Sequence, residues 1–302
     1  MKLIKKYWKS ALVLTLIIAL SVYVCLFAIK NVRNYAIYTK PNTETKIYTM
    51  WHIETFEGGG KSRLTYLKKL ANKIEKENAG VLFHISTITP NNVEETLKNN
   101  IPNIVSFGFG VGKILLPYLS VQNNSYSVRD ELFASGSFSN NLYAIPYIIG
   151  GYASFKHNEN NTETIYGSND FTKPKNTENL TAYPSQYEAY KKFVNDKKVN
   201  LIGTTRDLFR VNNLNEIGRT NATIIPLDDY TDLIQYIAST KKDEIIEKFI
   251  STLLSLSYQA KLTEYSLFSA LNTKIYSQGI YNDMENAIFK TQVPNVFNYE
   301  RY

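Results

Sequence analysis

The residues between Lys46 and Arg63 have the types and the spacing to bind a small solute. A β-prone run, a polar loop with three consecutive glycines and an amphipathic pattern follow one another there. An indole can stack on the apolar face of a sugar ring, carboxylates and a guanidinium can bond its hydroxyl groups, and glycine permits close approach to the backbone. The candidate ligand-binding residues of this stretch are Trp51, Glu54, Phe56, Glu57, Gly58, Gly59 and Arg63. Trp51 could equally be a core residue, since an indole buries a large area.

Later strand ends supply further candidates. Phe107 ends a predicted strand and Gly108 begins a second glycine-bearing loop after it. Two such loops at successive strand ends would meet at one crevice. Arg206 and Asp207 also follow a predicted strand, where they would either clamp a ligand or pair with structure elsewhere.

The same loop partly matches a phosphate-binding motif, G-x-x-x-x-G-K-[ST]. Gly60, Lys61 and Ser62 fit its second half, but Thr55 stands where the first glycine is required. The loop is also predicted to lie outside the membrane, where nucleoside triphosphates are scarce. A nucleotide site is therefore not expected.

Catalytic and metal-binding patterns are missing from the sequence. His52, His84 and His157 are scattered, without a second ligand at metal spacing. Cys25 lies in an apolar run, and adjacent carboxylates such as Asp228 and Asp229 do not face each other. We therefore expect a binding protein with no catalytic residues, no metal and no cofactor.

Composition bounds the partners and the location. The net charge of +7 over 302 residues is dispersed, without a basic stripe and interleaved aromatics, so nucleic acid is not expected as a partner. The apolar run of residues 11–29 follows four lysines and is long enough to cross a bilayer. We expect residues 1–30 to form an uncleaved signal anchor, residues 31–45 a linker, and the rest an extracytoplasmic part of a single-pass membrane protein. A cleaved signal peptide is the alternative.

Alternating strand and helix patterns predict an α/β fold with a mainly parallel sheet. Strands are expected at residues 46–51, 81–85, 104–107, 199–203 and 222–226, with helices at residues 63–77, 92–99, 113–119, from Ser185, and from Ile245 toward Leu262. Pro146 predicts an edge strand or a crossing segment, because proline removes a sheet hydrogen bond. Residues 157–184 lack periodicity and are expected to form a loop or a poorly ordered insert.

Four pieces of the chain, in order, resemble the extracellular solute-binding proteins of bacterial ABC transporters, of the type that includes maltose-binding protein. They are residues 48–83, IPNIVSFGFG, LYAIPYIIGGYASFK, and FVNDKKVNLIGTTRDLFRV through IIPLDDYTDLIQYI to FISTLLSLSYQAKL, and they cover most of residues 46–272. The resemblance implies a two-lobed fold that holds a solute in its cleft, with AIPYIIGG and ATIIPLDD as crossing segments and Tyr147 as a further site candidate. It implies a first lobe of residues 46–150 and 224–272, and a second of residues 151–223 and 273–302.

This chain departs from the family in two ways: residues 157–184 replace a long helical stretch, which shortens the second lobe, and the lipid-anchoring cysteine motif is absent. The expected function is therefore a membrane-anchored component that binds a solute, most simply a carbohydrate, and delivers it to ABC permease subunits. The alternative is an interaction or sensor protein that uses a reduced solute-binding fold without transport.

Overall fold

The computed structural model describes residues 13–27, 44–123, 125–157 and 163–299. The chain divides into two compact units, residues 1–47 with 73–82 and residues 48–72 with 83–302. In the first unit, residues 13–27 form helix α1, whose side chains are exposed. No helix within the described residues is long and apolar enough to cross a membrane. The remaining parts of the predicted anchor and linker, residues 1–12 and 28–43, lie outside the described residues.

The first of two large sheets has six strands in the order β13-β6-β12-β3-β1-β2. Its strands are β1 (Lys46–His52), β2 (Val81–Thr87), β3 (Ile104–Phe107), β6 (Ile145–Ile149), β12 (Ile234–Ser239) and β13 (Phe268–Ser269). A separate two-stranded ribbon is formed by β4 (Ser137–Phe138) and β5 (Asn141–Leu142). We call the part built on the six-stranded sheet the first lobe.

The expectation of a mainly parallel sheet is only partly met. β1 and β3 are parallel, but β12 lies between β3 and β6 and is antiparallel to both. β12 comes from a distant part of the chain, so the alternation of nearby elements could not reveal its direction. Pro146 pairs with Tyr236 at an irregularity of the β6–β12 ladder, and β13 pairs with β6 only at Ile148 and Ile149. One side of β6 is therefore free of a neighbour at the proline, as a strand containing proline requires.

The second sheet has five strands in the order β11-β7-β10-β8-β9 and forms what we call the second lobe. Its strands are β7 (Tyr152–Lys156), β8 (Glu163–Gly167), β9 (Thr181–Tyr183), β10 (Val199–Thr204) and β11 (Thr223–Pro226). The prediction of a loop over residues 157–184 is wrong, because β8 and β9 lie there. β8 pairs in parallel with both β10 and β9, so the sheet partners supply the order that the local pattern lacks.

Two chain crossings join the sheets, at the positions expected from the resemblance. Gly150 and Gly151 link β6 to β7, and residues 227–233 link β11 to β12. The crossings bond to each other, since Gly150 N–H donates to Leu233 O at 2.6 Å and Thr231 Oγ1 donates to Gly150 O at 2.8 Å. The predicted lobe boundary at residue 224 falls inside β11, which belongs to the second sheet.

The helices are α2 (Arg63–Glu77), α3 (Val93–Asn99), α4 (Gly112–Leu115), α5 (Asp130–Ser135), α6 (Gln186–Asn195), α7 (Thr205–Glu216), α8 (Glu244–Leu253), α9 (Leu256–Gln259) and α10 (Gly279–Ile288). Three 3₁₀ turns are Pro90–Asn92, Leu116–Tyr118 and Ala260–Tyr265. The predicted cap is confirmed, because the Ser185 side chain accepts from Glu188 N–H at the start of α6. The long helix predicted toward Leu262 is wrong: α8 ends before Leu254, and Ser255 caps a new helix by accepting from Tyr258 N–H.

Candidate functional site

A cavity of about 610 Å³ lies between the loop after β1 in the first lobe and the elements after β8 and β10 in the second. Its lining carries four cationic and two carboxylate side chains together with two phenylalanines. The lining residues are Glu54, Thr55, Phe56, Glu57, Gly58, Gly60, Lys61, Ser62, Arg63, Pro90, Asn169, Phe171, Arg206 and Arg210. The volume falls in the range of small-molecule sites.

The wall formed by the first lobe is organised by Arg63, the first residue of α2. Its side chain is 2% exposed; Nε donates to Glu54 Oε1 at 3.2 Å, Nη2 donates to Phe56 O, and the guanidinium lies 4.2 Å from the Phe56 ring centroid. The Nη1 atom is buried without a hydrogen-bond partner among the described residues. Because an unpartnered buried donor costs free energy, a ligand oxygen that reached Nη1 would recover it.

A buried hydrogen-bond chain holds Glu54 in place. His52 Nε2 lies 2.9 Å from Glu54 Oε1, His52 Nδ1 lies 3.0 Å from Ser106 Oγ, and Ser106 Oγ lies 2.9 Å from Tyr147 Oη. Burial lowers the pKa of His52, so the neutral imidazole donates from Nε2 to Glu54 and accepts at Nδ1 from the Ser106 hydroxyl. Gln235 Nε2 donates to Ser106 Oγ at 2.9 Å, which completes the chain.

Glu54 is an ionised acceptor at the cavity edge. Burial raises the pKa of Glu54, but the hydrogen bond from His52 and the charge of Arg63 outweigh that effect and lower the pKa to about 2. The Glu54 side chain is 43% exposed, so water screens its ion pair and the carboxylate remains open to a ligand hydroxyl.

Two glycines of the loop, Gly59 and Gly60, pack closely against protein groups. Gly59 has φ +64°, and a Cβ there would lie 2.3 Å from Tyr265 O and 2.7 Å from Leu267 Cγ. Gly60 N–H donates to Tyr265 O at 2.6 Å, and a Cβ on Gly60 would lie 2.7 Å from Phe209 Cε2. The close approach that these glycines permit is therefore to Tyr265, Leu267 and Phe209.

The wall formed by the second lobe comes from the first turns of α7. Arg206 Nη1 donates to Gly59 O at 2.5 Å, and Arg210 Nη2 lies 2.8 Å from Glu57 Oε2, so this helix contacts the first lobe directly. Asp207 lies behind the wall, 1% exposed, where its carboxylate accepts from Thr204 N–H in a capping box and pairs with Arg210 at 3.1 Å. Burial raises the pKa of Asp207, and the Thr204 and Arg210 contacts oppose that rise.

A loop of the second lobe after β8 forms the remaining wall. Asn169 Nδ2 donates to Thr55 O at 3.0 Å and its Oδ1 accepts from Phe171 N–H at 2.9 Å. Phe171 packs against Gly110 of the first lobe, where a Cβ would lie 2.6 Å from Phe171 Cδ1. Each lobe thus contributes an aromatic side chain and charged groups to one cavity.

The structure brings part of the predicted site together. The predicted residues that line the cavity are Glu54, Phe56, Glu57, Gly58, Arg63 and Arg206. Those that do not line it are Trp51, Gly59, Phe107, Gly108, Tyr147 and Asp207. Trp51 is 3% exposed within β1, opposite Val105, as the core alternative requires. Asp207 contacts Thr204 and Arg210, which agrees with the alternative that it pairs with protein groups.

Several lining residues were missed by sequence reasoning: Thr55, Gly60, Lys61, Ser62, Pro90, Asn169, Phe171 and Arg210. One of them, Arg210, had a usable signal. Thr204 and Asp207 have capping-box spacing, which predicts that α7 begins there and that Arg206 and Arg210, four residues apart, share a face. Asn169 and Phe171 lie in the aperiodic stretch and carried no such signal.

The histidines do not assemble a metal site. Residues 13–27, 44–123, 125–157 and 163–299 contain no group of three or more His, Cys, Asp or Glu side chains placed to hold a metal ion. His52 belongs to the Glu54 chain, and His157 Nε2 lies 3.0 Å from Phe193 O with its ring stacked on that phenylalanine.

Two sheets joined by paired crossings, with a cavity lined from both, define the class of two-lobed solute-binding folds. Solved structures agree. The GacH receptor of Streptomyces glaucescens, described without ligand and with acarbose, matches with a TM-score of 0.61 and 12% identity over 84% of this chain and 89% of its own.

Two other similar structures are also sugar-binding proteins. The galacto-N-biose/lacto-N-biose I-binding protein of a Bifidobacterium longum ABC transporter matches with a TM-score of 0.57 and 11% identity over 85% of this chain and 89% of its own. The maltotriose-binding protein of Thermus thermophilus matches with a TM-score of 0.53 and 11% identity over 82% of this chain and 89% of its own. No protein-family model and no curated protein sequence matches the chain. At these identities the likeness establishes the fold, which the resemblance predicted.

Proposed function

We propose that this chain is the carbohydrate-binding component of an ABC transporter and holds its solute between the two lobes. The observation that carries the proposal is the cavity of about 610 Å³, lined from both lobes on this fold. A solute that touches both lobes favours the state in which they are close together, because only that state offers both sets of contacts.

The lining has the chemistry that a sugar needs. Glu54 offers an ionised acceptor for hydroxyl groups, Arg206 and Arg210 offer donors, and the Phe171 ring offers an apolar face. Similar structures bind acarbose, maltotriose and lacto-N-biose, which supports a carbohydrate as the solute. The similar structures are described as a receptor and as sugar-binding proteins, so we propose binding and not catalysis.

The proposal extends to location and partners. Residues 11–29 would anchor the chain, with the lobes on the extracytoplasmic side, and permease subunits of the transporter would receive the solute. The similarity to transporter components does not favour the alternative of an interaction or sensor protein without a solute.

Calorimetric titration of the full chain with a panel of oligosaccharides tests the proposal. Because residues 11–29 are apolar, the sample contains a detergent. The detergent has no sugar headgroup, so that it does not compete with the oligosaccharides. We expect saturable heat with at least one oligosaccharide. A folded sample that gives no heat with any of them would rule out carbohydrate capture.

A further inference from the structure

The cavity lining has more positive than negative charge. Lys61, Arg63, Arg206 and Arg210 face Glu54 and Glu57. Two of the cations are neutralised within the protein, because Arg63 pairs with Glu54, and Arg210 pairs with both Glu57 and the buried Asp207. Counting Asp207, four cations face three carboxylates, so one positive charge is in excess, and it is carried by the unpaired Lys61 and Arg206.

Neither of these two cations forms an ion pair within the part of the chain that the structure describes. The ammonium group of Lys61 lies 5.7 Å from the Tyr265 ring centroid. Arg206 donates one hydrogen bond to the carbonyl oxygen of Gly59, and its guanidinium lies 5.6 Å from the Phe209 ring centroid. Since a guanidinium has five N–H donors, most of those of Arg206 remain for a ligand in the cavity that it lines.

A neutral solute would leave this charge unbalanced. Closing the lobes over a neutral sugar removes water from Arg206 and Lys61 without supplying a counter-charge, which is unfavourable. A carboxylate on the sugar would supply the counter-charge and match the planar donor pair of a guanidinium.

We infer that the cleft takes an anionic carbohydrate, one that carries a carboxylate group, with Arg206 as the principal contact of that carboxylate and Lys61 beside it. The inference rests on the proposed carbohydrate function and narrows it to uronate-containing sugars. Glu54, on the opposite wall, then serves the hydroxyl groups of the same sugar.

The test uses matched pairs of oligosaccharides that differ only in one residue: glucuronate against glucose, galacturonate against galactose, and mannuronate against mannose. Affinities are measured for the wild-type chain, for Arg206→Gln and for the control Arg219→Gln. Arg219 is an exposed arginine of the second lobe that does not line the cavity. In the wild type we expect at least one uronate sugar to bind roughly tenfold more tightly than its neutral partner, as charge-assisted hydrogen bonds allow.

The variants decide which residue is responsible. Arg206→Gln should bring the ratio of the two affinities close to one, whereas Arg219→Gln should leave it unchanged. Neutral sugars that bind as tightly as their uronate partners would overturn this inference and keep the proposed function. Absence of binding by every member of the panel would overturn both. A ratio that falls equally in both variants would also overturn the assignment to Arg206.

Discussion

Replacing Gly59 by alanine should destabilise the first lobe because Gly59 packs against Tyr265. The backbone φ of +64° costs an alanine about 1–2 kcal/mol wherever it occurs. At Gly59 the new Cβ would also lie 2.3 Å from Tyr265 O and 2.7 Å from Leu267 Cγ. Forcing a methyl group into such a contact adds roughly 1–3 kcal/mol.

Gly218→Ala is the matched control. Gly218 has φ +68°, and a Cβ there would meet no atom within 4 Å. The two variants therefore share the backbone strain, and their difference isolates the contact with Tyr265. Urea unfolding should place Gly59→Ala roughly 1–3 kcal/mol below Gly218→Ala.

Equal stabilities of the two variants would refute the packing argument. A Gly59→Ala chain that is as stable as Gly218→Ala, yet unable to bind the sugar that the wild type binds, would support the interpretation of the loop from the sequence alone. The glycine would then serve the approach of a ligand.

Three further predictions concern Trp51, the Arg210–Glu57 ion pair and Asp232. Trp51→Phe should lower the free energy of unfolding by roughly 1–3 kcal/mol and leave sugar affinity within about twofold, because the indole is core; a large affinity loss with intact stability would contradict this. A double-mutant cycle of Arg210→Gln and Glu57→Gln should give a coupling of about 1 kcal/mol or less, since Glu57 is 49% exposed, and a much larger value would show a dry contact between the lobes. Burial raises the pKa of Asp232 to about 6, so the folded chain binds a proton more tightly than the unfolded chain, and stability should fall by up to about 3 kcal/mol as pH rises from about 4 to about 6. Asp232→Asn should make the stability fall less over this pH range than it does in the wild type, as measured by urea unfolding, and a fall as large as that of the wild type would exclude Asp232 as a source.

Local patterns were sufficient for elements whose order comes from nearby residues. Ile104–Phe107 lies where a short apolar run predicted a strand, and Arg63–Glu77 lies where helical spacing predicted a helix. Ser185 caps α6 through the spacing that predicted it. Patterns failed where order comes from a distant partner. β8 pairs with the distant β10, and β12 is antiparallel to β3 and β6, which lie far from it in the sequence, so no local pattern reveals its direction.

The sequence predicted the kinds of side chain in the site, but only some of the residues that line it. The loop of Glu54, Phe56 and Arg63 lines the cavity, but the reason for its glycines could not be read from a sequence that does not show Tyr265 beside them. Asn169 reaches Thr55 across 114 residues of sequence, a contact that no local pattern encodes.

A crystal structure of the chain grown with an oligosaccharide that it binds in solution tests the central claim most directly. We predict sugar in the cavity, in contact with Glu54 and Arg63 of the first lobe and with Phe171 and Arg206 of the second. Sugar bound to one lobe only, or elsewhere on the surface, would contradict capture between the lobes.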